Sequence, residues 1–408
     1  MRILLINHYA GSPEMGMEFR PYYFAREWIK MGHQVDIIAA DYSHLRTGNP
    51  EVEADFETED IDGIRYHWIK TGKYEGNGAK RALTMFRFVG KLWAKAGKIA
   101  KECKPDVVIT SSTYPLDTYA GQRIAKRAKA KLIHEVHDMW PATLIELGGM
   151  SKYHPFIVMI QMAEDSAYRH SDHVVSLPPL AKDYMIKHGM RPEKFAAISN
   201  GIVKEDWENP MPLPEEHKKI LEKLKAEGKF VVGYFGGHAL SNALDVLLDA
   251  AKKTTEKEVQ FVLVGSGVEK EQLRKRKEEE KIGNVLFLPP VPKKAVPELL
   301  KFFDCSYIGS KQSTLYQRFG VCLNKMYDSM MAAKSVLFAV DTRSSPIEEY
   351  RCGIMAGAGQ EEDIAKGIRC LLSMSEEERR EMGERGKKAV LEQYTFDVLA
   401  KRFAELFE

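Results

Sequence analysis

The 408-residue sequence is poor in the features that mark special environments. Its five cysteines, Cys103, Cys305, Cys322, Cys352 and Cys370, form no CxxC pair. That argues against a disulfide framework or a cysteine-built zinc site, and for a reducing, cytoplasmic setting. No apolar run approaches the ~20 residues that span a bilayer. Met1 is followed by an arginine and a short apolar run, unlike a signal or transit peptide. The net charge is +2, so nothing global points to nucleic acid. No GxGxxG follows a strand-like run, which argues against a nicotinamide dehydrogenase. No DxD stands where it would hold a metal: Asp60 and Asp62 fall in a polar connecting stretch. No repeat or low-complexity segment is present.

What is there is an ordinary globular chain, 44% hydrophobic and 29% charged, long enough for two or three domains. Short apolar runs alternate with helical patterns. The spacing predicts strands at 3–6, 35–38, 107–110, 132–136, 173–176 and 195–198. Helical patterns lie between most of them, for example at 22–31 and 118–128. Such βα units imply a parallel sheet covered by helices. The proline-rich stretch "WENPMPLPEEHKKILEKLKAEGK" then reads as a linker. After it the rhythm restarts, with strands expected at 230–234, 260–264, 285–288, 305–308, 336–339 and 353–355. The expected architecture is α/β, with two doubly wound, Rossmann-like domains facing across a cleft. Residues 1–205 form one domain and 206–390 the other. A helix in 391–408 is expected to pack back towards the first.

Open parallel sheets bind ligands at the carboxyl ends of their strands. In the second domain the first such loop is "YFGGHALSN". Gly236 and Gly237 precede a helix, and His238 offers a donor. This is either a tight turn or a phosphate cradle at a helix N-terminus. A second strand end carries Gly265, Ser266 and Gly267. Two glycine-rich loops in one domain suggest a diphosphate. In "LNKMYDSMMAAKSV", Asn324, Lys325 and Asp328 fall near a helix start. Lys325 suits a phosphate and Asp328 the two hydroxyls of a ribose; an i,i+3 ion pair between them is the alternative. In the first domain, "LIHEVHDMWP" puts His137, Asp138 and Trp140 after a strand. His137 could bind a sugar hydroxyl or polarise a reacting group. Asp138 could act as a base or orient the acceptor. Trp140 could stack on a sugar or belong to the core.

Residues 80–104 carry eight Lys/Arg and one acid, Glu102, interleaved with aromatics. That pattern fits a helix lying on an anionic membrane, or one that only covers the sheet.

Taken together, "REWIKMGHQVDIIAAD", "PDVVITSS", "HEVHDMWP", "AAISNGIVKEDW", "VVGYFGG", "FVLVGSGVEKEQL" and "NKMYDSMMAAKSV" resemble, in order and spacing, the retaining GT-B glycosyltransferases of family 4. They are most similar to those that build bacterial surface polysaccharides with acetamido-sugars. The resemblance runs over nearly the whole chain. It implies metal-independent transfer, with retention, from a nucleoside-diphosphate sugar, expected to be UDP-linked, to a lipid-linked saccharide or similar glycan acceptor. No cofactor is implied. By it, His137 and Asp138 are the catalytic positions, and Gly236, Gly237, Asn324, Lys325 and Asp328 hold the donor. Two departures stand out. The arginine and lysine common near the first phosphate loop are missing, so Lys325, Lys311 or Arg318 is expected to supply the charge. The usual upstream acid falls on Val321. Two other functions fit the same fold: a hydrolysing UDP-sugar 2-epimerase, and a non-catalytic subunit that binds a nucleotide sugar.

The loop after the first strand, "NHYAGSPEMGMEFRPYY", is expected to be an acceptor-side lid, mobile without ligand. Gly16 would allow close approach, Glu14 would meet a sugar hydroxyl, and Arg20 would reach a phosphate of the donor or of a lipid carrier.

Overall fold

The computed structural model describes every residue except Met17, Glu18 and Asn77. The chain divides into two units. One comprises Met1–Asn200 with Phe396–Glu408, the other Gly201–Thr395.

The first unit is built on an eight-stranded sheet. Its strands are β1 (Arg2–Ile6), β2 (Gln34–Ala40), β3 (Glu57–Ile61), β4 (Ile64–Ile69), β5 (Val107–Thr110), β6 (Lys131–Val136), β7 (His173–Ser176) and β8 (Phe195–Ala197). They lie in the order β3-β4-β2-β1-β5-β6-β7-β8. All neighbours are parallel except β3 against β4. The β3–β4 hairpin corrects the reading of Asp60 as part of a connecting stretch, while Asp62 lies in the turn between the two strands. Every residue of β3, ETEDI, is exposed or half-exposed. It is a polar edge strand with no apolar alternation to reveal it. Leu4, Ile6, Ile38, Val108 and Leu132 pack with Phe88, Leu92, Ala96 and Ile124 of the covering helices. The helix Phe396–Ala404 closes this unit. Phe396 and Phe403 meet the rings of Phe24 and Trp28, and the Trp28 indole N–H donates to the Ala400 carbonyl at 3.2 Å.

The second unit has a six-stranded parallel sheet of β9 (Phe230–Phe235), β10 (Val259–Val264), β11 (Val285–Leu288), β12 (Cys305–Gly309), β13 (Ser335–Ala339) and β14 (Gly353–Met355). The order is β11-β10-β9-β12-β13-β14. Alternate residues of β10 feed two cores: Phe261 and Leu263 on one face, Val262 and Val264 on the other. Strands buried on both faces read as continuous apolar runs, which is why they were visible in the sequence. Part of the linker-like stretch belongs to this unit's fold. The helix Glu215–Ala226 puts Leu221 into the second core beside Leu213.

In both sheets the strand order reverses beside the unit's first strand. The loops after β1 and β5, and after β9 and β12, therefore open at a topological switch point, where doubly wound sheets bind ligands.

Candidate functional site

In the second unit the loop after β9 is held by a compact polar network. Tyr234 Oη and Asn242 Nδ2 both donate to the Gly237 carbonyl, at 2.6 and 2.9 Å. Lys325, at the start of the helix Asn324–Met331, donates to Tyr234 Oη at 3.0 Å and to Asn242 Oδ1 at 2.8 Å. Its ammonium also lies 4.6 Å from the centre of the Tyr234 ring. A Cβ added to Gly236 would sit 3.8 Å from Lys325 Nζ, so the charge stands against the glycine loop. Burial pulls the Lys325 ammonium down to about 8. A lysine held this way, with little solvent around it, suits an anion that restores the lost hydration. Lys325 thus makes no ion pair with Asp328, three residues on.

Both oxygens of Asp328 are instead taken by Lys293 Nζ, at 2.6 and 2.5 Å. Asp328 is buried, whereas Lys293 is half-exposed. Lys293 was not singled out in the sequence, because nothing local marks a lysine 35 residues away as the partner of Asp328. Asn324 is exposed.

Gly265 and Gly267 serve packing between the two glycine-rich loops. Both have positive φ, +153° and +154°. A Cβ on Gly265 would meet the Gly236 carbonyl oxygen at 1.9 Å, and one on Gly267 the His238 carbonyl oxygen at 2.4 Å. Backbone bonds join the loops, from His238 N to Ser266 O at 2.7 Å and from Glu269 N to His238 O at 3.0 Å. Ser266 is exposed at the tip. His238, expected to offer a donor, lies fully buried beneath this double loop. Its pKa is lowered to about 4 by burial and by the nearby charges of Lys270 and Lys325. The ring is therefore neutral at pH 7, and neither nitrogen finds a hydrogen-bond partner among the described residues. Of the other expected cations, Lys311 is paired with Asp245 at 2.7 Å. Arg318 is exposed on the helix Thr314–Phe319, with its guanidinium 4.7 Å from the Phe319 ring centre. Lys325 is the one placed at the glycine loop.

In the first unit the strand ends beside the switch point also converge. Asn7 Nδ2, after β1, donates to the Ser111 carbonyl, after β5, at 2.6 Å. Ser111 Oγ donates to Glu135 Oε2 at 2.6 Å. His137 Nε2 lies 3.0 Å from the same carboxylate oxygen and 2.9 Å from Ser111 Oγ. The Ser111 proton goes to Glu135, so the His137 Nε2–H donates to both oxygens. The other oxygen of Glu135 receives Arg20 Nε and Nη2 at 3.1 and 3.0 Å. Burial would raise the Glu135 pKa, but Arg20, His137 and Ser111 hold it far below the usual carboxylate range. Behind this group Asp117 is fully buried, its pKa raised by that burial to about 7 against a hydrogen bond from Ser112. His134, inside β6, is held at about 4 by burial.

Arg20 was expected to reach a phosphate; the structure commits it elsewhere. Besides Glu135 it donates to the carbonyls of Ser199 and Ile198 and to Asn200 Oδ1. All five N–H groups of the guanidinium are so used. Asp138 is exposed, and its Oδ1 accepts from Met139 N and Thr143 Oγ1, both at 2.9 Å. One oxygen of Asp138 therefore holds its own turn. Trp140 is half-buried against the aromatic group of Tyr9 and Tyr114, and a cis peptide joins it to Pro141.

The described part of the expected lid is hydrogen-bonded to its surroundings: Tyr66 Oη donates to Gly11 O at 2.9 Å, Arg46 Nη2 to Ala10 O, and Thr47 N to Met15 O at 2.8 Å. Gly16 bridges to Arg46 as an isolated antiparallel pair. Glu14 is exposed in the single turn Pro13–Met15. Met17 and Glu18, which the expectation also covered, lie outside the described residues.

Two groups of side chains among the described residues could offer three metal ligands each: Asp36, His67 and Cys103, and Glu164, Asp165 and His188. Neither includes a residue of the strand-end clusters above. Asp36 is already engaged by Arg65 and His67.

Two doubly wound domains with glycine-rich strand ends define the GT-B class, and solved structures share the fold. Sucrose-phosphate synthase from Thermosynechococcus elongatus is similar at a TM-score of 0.75 and 14% identity, over 100% of this chain and 98% of that one. HepE of Anabaena, in complex with UDP and glucose, is similar at 0.65 and 15%, over 99% and 98%. Two family models match in tandem, the Glycosyl transferase 4-like domain over residues 15–201 and the Glycosyl transferases group 1 domain over residues 216–389. The chain belongs to the family 4, group 1 glycosyltransferases. The putative colanic acid biosynthesis glycosyl transferase WcaI of Escherichia coli is 24% identical over 224 residues, 51% of this chain. That match spans about half of the relative's own length, 52%.

Proposed function

We propose that the protein moves a sugar from a UDP-sugar to a lipid-linked saccharide during synthesis of a surface polysaccharide, with retention at the anomeric carbon. The observation that carries the donor half is the Lys325 ammonium standing against the Gly236–Gly237 loop, with the Asp328 carboxylate one turn on. In this reading the loop N–H groups and Lys325 take up the charge of the leaving diphosphate. Asp328 holds the ribose, and His137, fixed by Glu135 and Ser111, acts in catalysis. No metal or other cofactor takes part. HepE, solved with UDP and glucose, and the putative assignment of WcaI to colanic acid biosynthesis support this choice of donor and pathway.

The lipid half rests on a surface. No helix among the described residues is long and apolar enough to cross a membrane. Yet Leu83, Phe86 and Trp93 are exposed on the helix Ala79–Cys103, and Val158 and Met162 on the helix Pro155–His170. Phe86 and Phe156 join the two helices edge to face at 6.4 Å. With the lysines of 80–104 around it, this patch suits the anionic inner face of a cytoplasmic membrane.

The test is release of UDP from a panel of UDP-sugars, with and without lipid-linked acceptor and with and without EDTA. Acceptor-dependent release with an α-linked product from an α-linked donor, unaffected by EDTA, is expected. Epimerised free sugar without acceptor would replace this reading with the epimerase. D328A should abolish UDP binding without unfolding the chain, and H137A should cut turnover far more than UDP affinity. Vesicles containing anionic lipid should sediment the wild type but not the L83S/F86S variant.

A further inference from the structure

The carboxylate assigned above to the ribose has a charged partner. Lys293 follows β11 in "LPPVPKK", where three prolines restrict the backbone leading to it. Its ammonium bridges both oxygens of Asp328, at 2.6 and 2.5 Å. The pair is asymmetric: the side chain of Asp328 is 4% exposed and that of Lys293 46%. The buried member has little freedom on its short side chain, and the more exposed ammonium is its charge partner. An ionised carboxylate offers about four acceptor sites. Lys293 takes one on each oxygen, which leaves each oxygen one site for a hydroxyl. Vicinal hydroxyls need both oxygens presented together. A buried carboxylate without a partner is poorly held in that pose. Lys325, the nearest cation on the same helix, is engaged with Tyr234 and Asn242.

We propose that Lys293 is a positioning residue of the nucleotide site: by bridging both oxygens of Asp328 it holds them together towards the ribose. The inference rests on the ribose reading of Asp328 and adds what makes that residue competent.

The experiment is calorimetric titration of the full chain with UDP and with 2′-deoxy-UDP. Loss of one hydroxyl bonded to a charged acceptor should weaken wild-type binding about tenfold or more. In K293M the ratio between the two nucleotides should fall to within about threefold of unity, by the same arithmetic, and K293R should restore it. Thermal melts report folding; if K293M does not fold, K293Q is read in the same way. A purely structural lysine would weaken both nucleotides in parallel and leave the ratio intact, which overturns the proposal. Wild-type protein that does not distinguish the two nucleotides overturns the ribose reading, and this inference with it. Discrimination present in the wild type and kept in K293M overturns the role of Lys293 alone.

Discussion

Arg20 and Glu135 form a buried ion pair at 3.0 Å, 115 residues apart in sequence, and His137 hydrogen-bonds the opposite oxygen of the same carboxylate. The histidine is therefore set by a charge network rather than by its loop. Removing one member of such a pair strands the other in a dry site. R20M is expected to destabilise the protein by about 3–5 kcal/mol in urea unfolding at pH 7. The sign with pH follows from the depressed pKa of Glu135. Its contribution is present above the unfolded carboxylate range and is lost as pH falls below it towards the folded pKa. The gap between wild type and E135Q should therefore narrow below about pH 4.5; a constant gap would refute the network.

Lys325 gives a binding prediction. Free, its ammonium titrates at about 8 because of burial. A diphosphate favours the charged form and so raises that value. UDP affinity should be flat between about pH 7 and 8 and fall by up to tenfold per pH unit above it. K325Q should bind more weakly, with no such fall between pH 8 and 9.5, as titration calorimetry at several pH values can show.

Asp117 is the opposite case. Burial raises its carboxyl from 3.8 to about 7, and Oδ1 has no hydrogen-bond partner among the described residues. A raised folded pKa is neutral to stability below the unfolded value and costs progressively more as pH rises to the folded one. D117N mimics the protonated acid. It should match the wild type near pH 4 and exceed it above pH 7, by no more than about 4 kcal/mol, the shift converted at 1.36 kcal/mol per unit. Melting curves across that range decide it.

The two glycine positions should separate cleanly. G265A drives a Cβ into the Gly236 carbonyl at 1.9 Å, against backbone that cannot swing aside, and should cost about 3 kcal/mol or more. G237A meets nothing within 4 Å. It should fold like the wild type yet weaken UDP, because its methyl stands where the diphosphate is proposed to approach. Melting temperature and UDP affinity of the two variants check this together.

What the sequence revealed, and what it hid, follows from the range of the forces involved. Strands such as β5 and β10 were legible because burial on both faces demands unbroken apolar runs. The glycine loops and the histidine at the end of β6 were legible because strand ends are where such sheets bind. The hairpin strand β3 was not, since ETEDI buries almost nothing. Lys325 and Asp328 were seen as neighbours one turn apart. Their actual partners, Tyr234, Asn242 and Lys293, arrive from 35 to 91 residues away, and no local pattern encodes them. Likewise the loop after β1 looked loose because its partners come from elsewhere in the chain, Arg46 from the connection after β2 and Tyr66 from β4. Arg20 looked like a phosphate ligand because Glu135 could not be placed beside it.

The helix Phe396–Ala404 has a consequence for how the molecule is made. The chain leaves the first unit at Asn200 and returns to it only at Phe396. On the ribosome, Phe24 and Trp28 therefore wait for their covering residues until the whole second unit has been synthesised. During that interval the nascent first unit carries an uncovered aromatic surface. A chain stopped after Thr395 would keep that surface permanently.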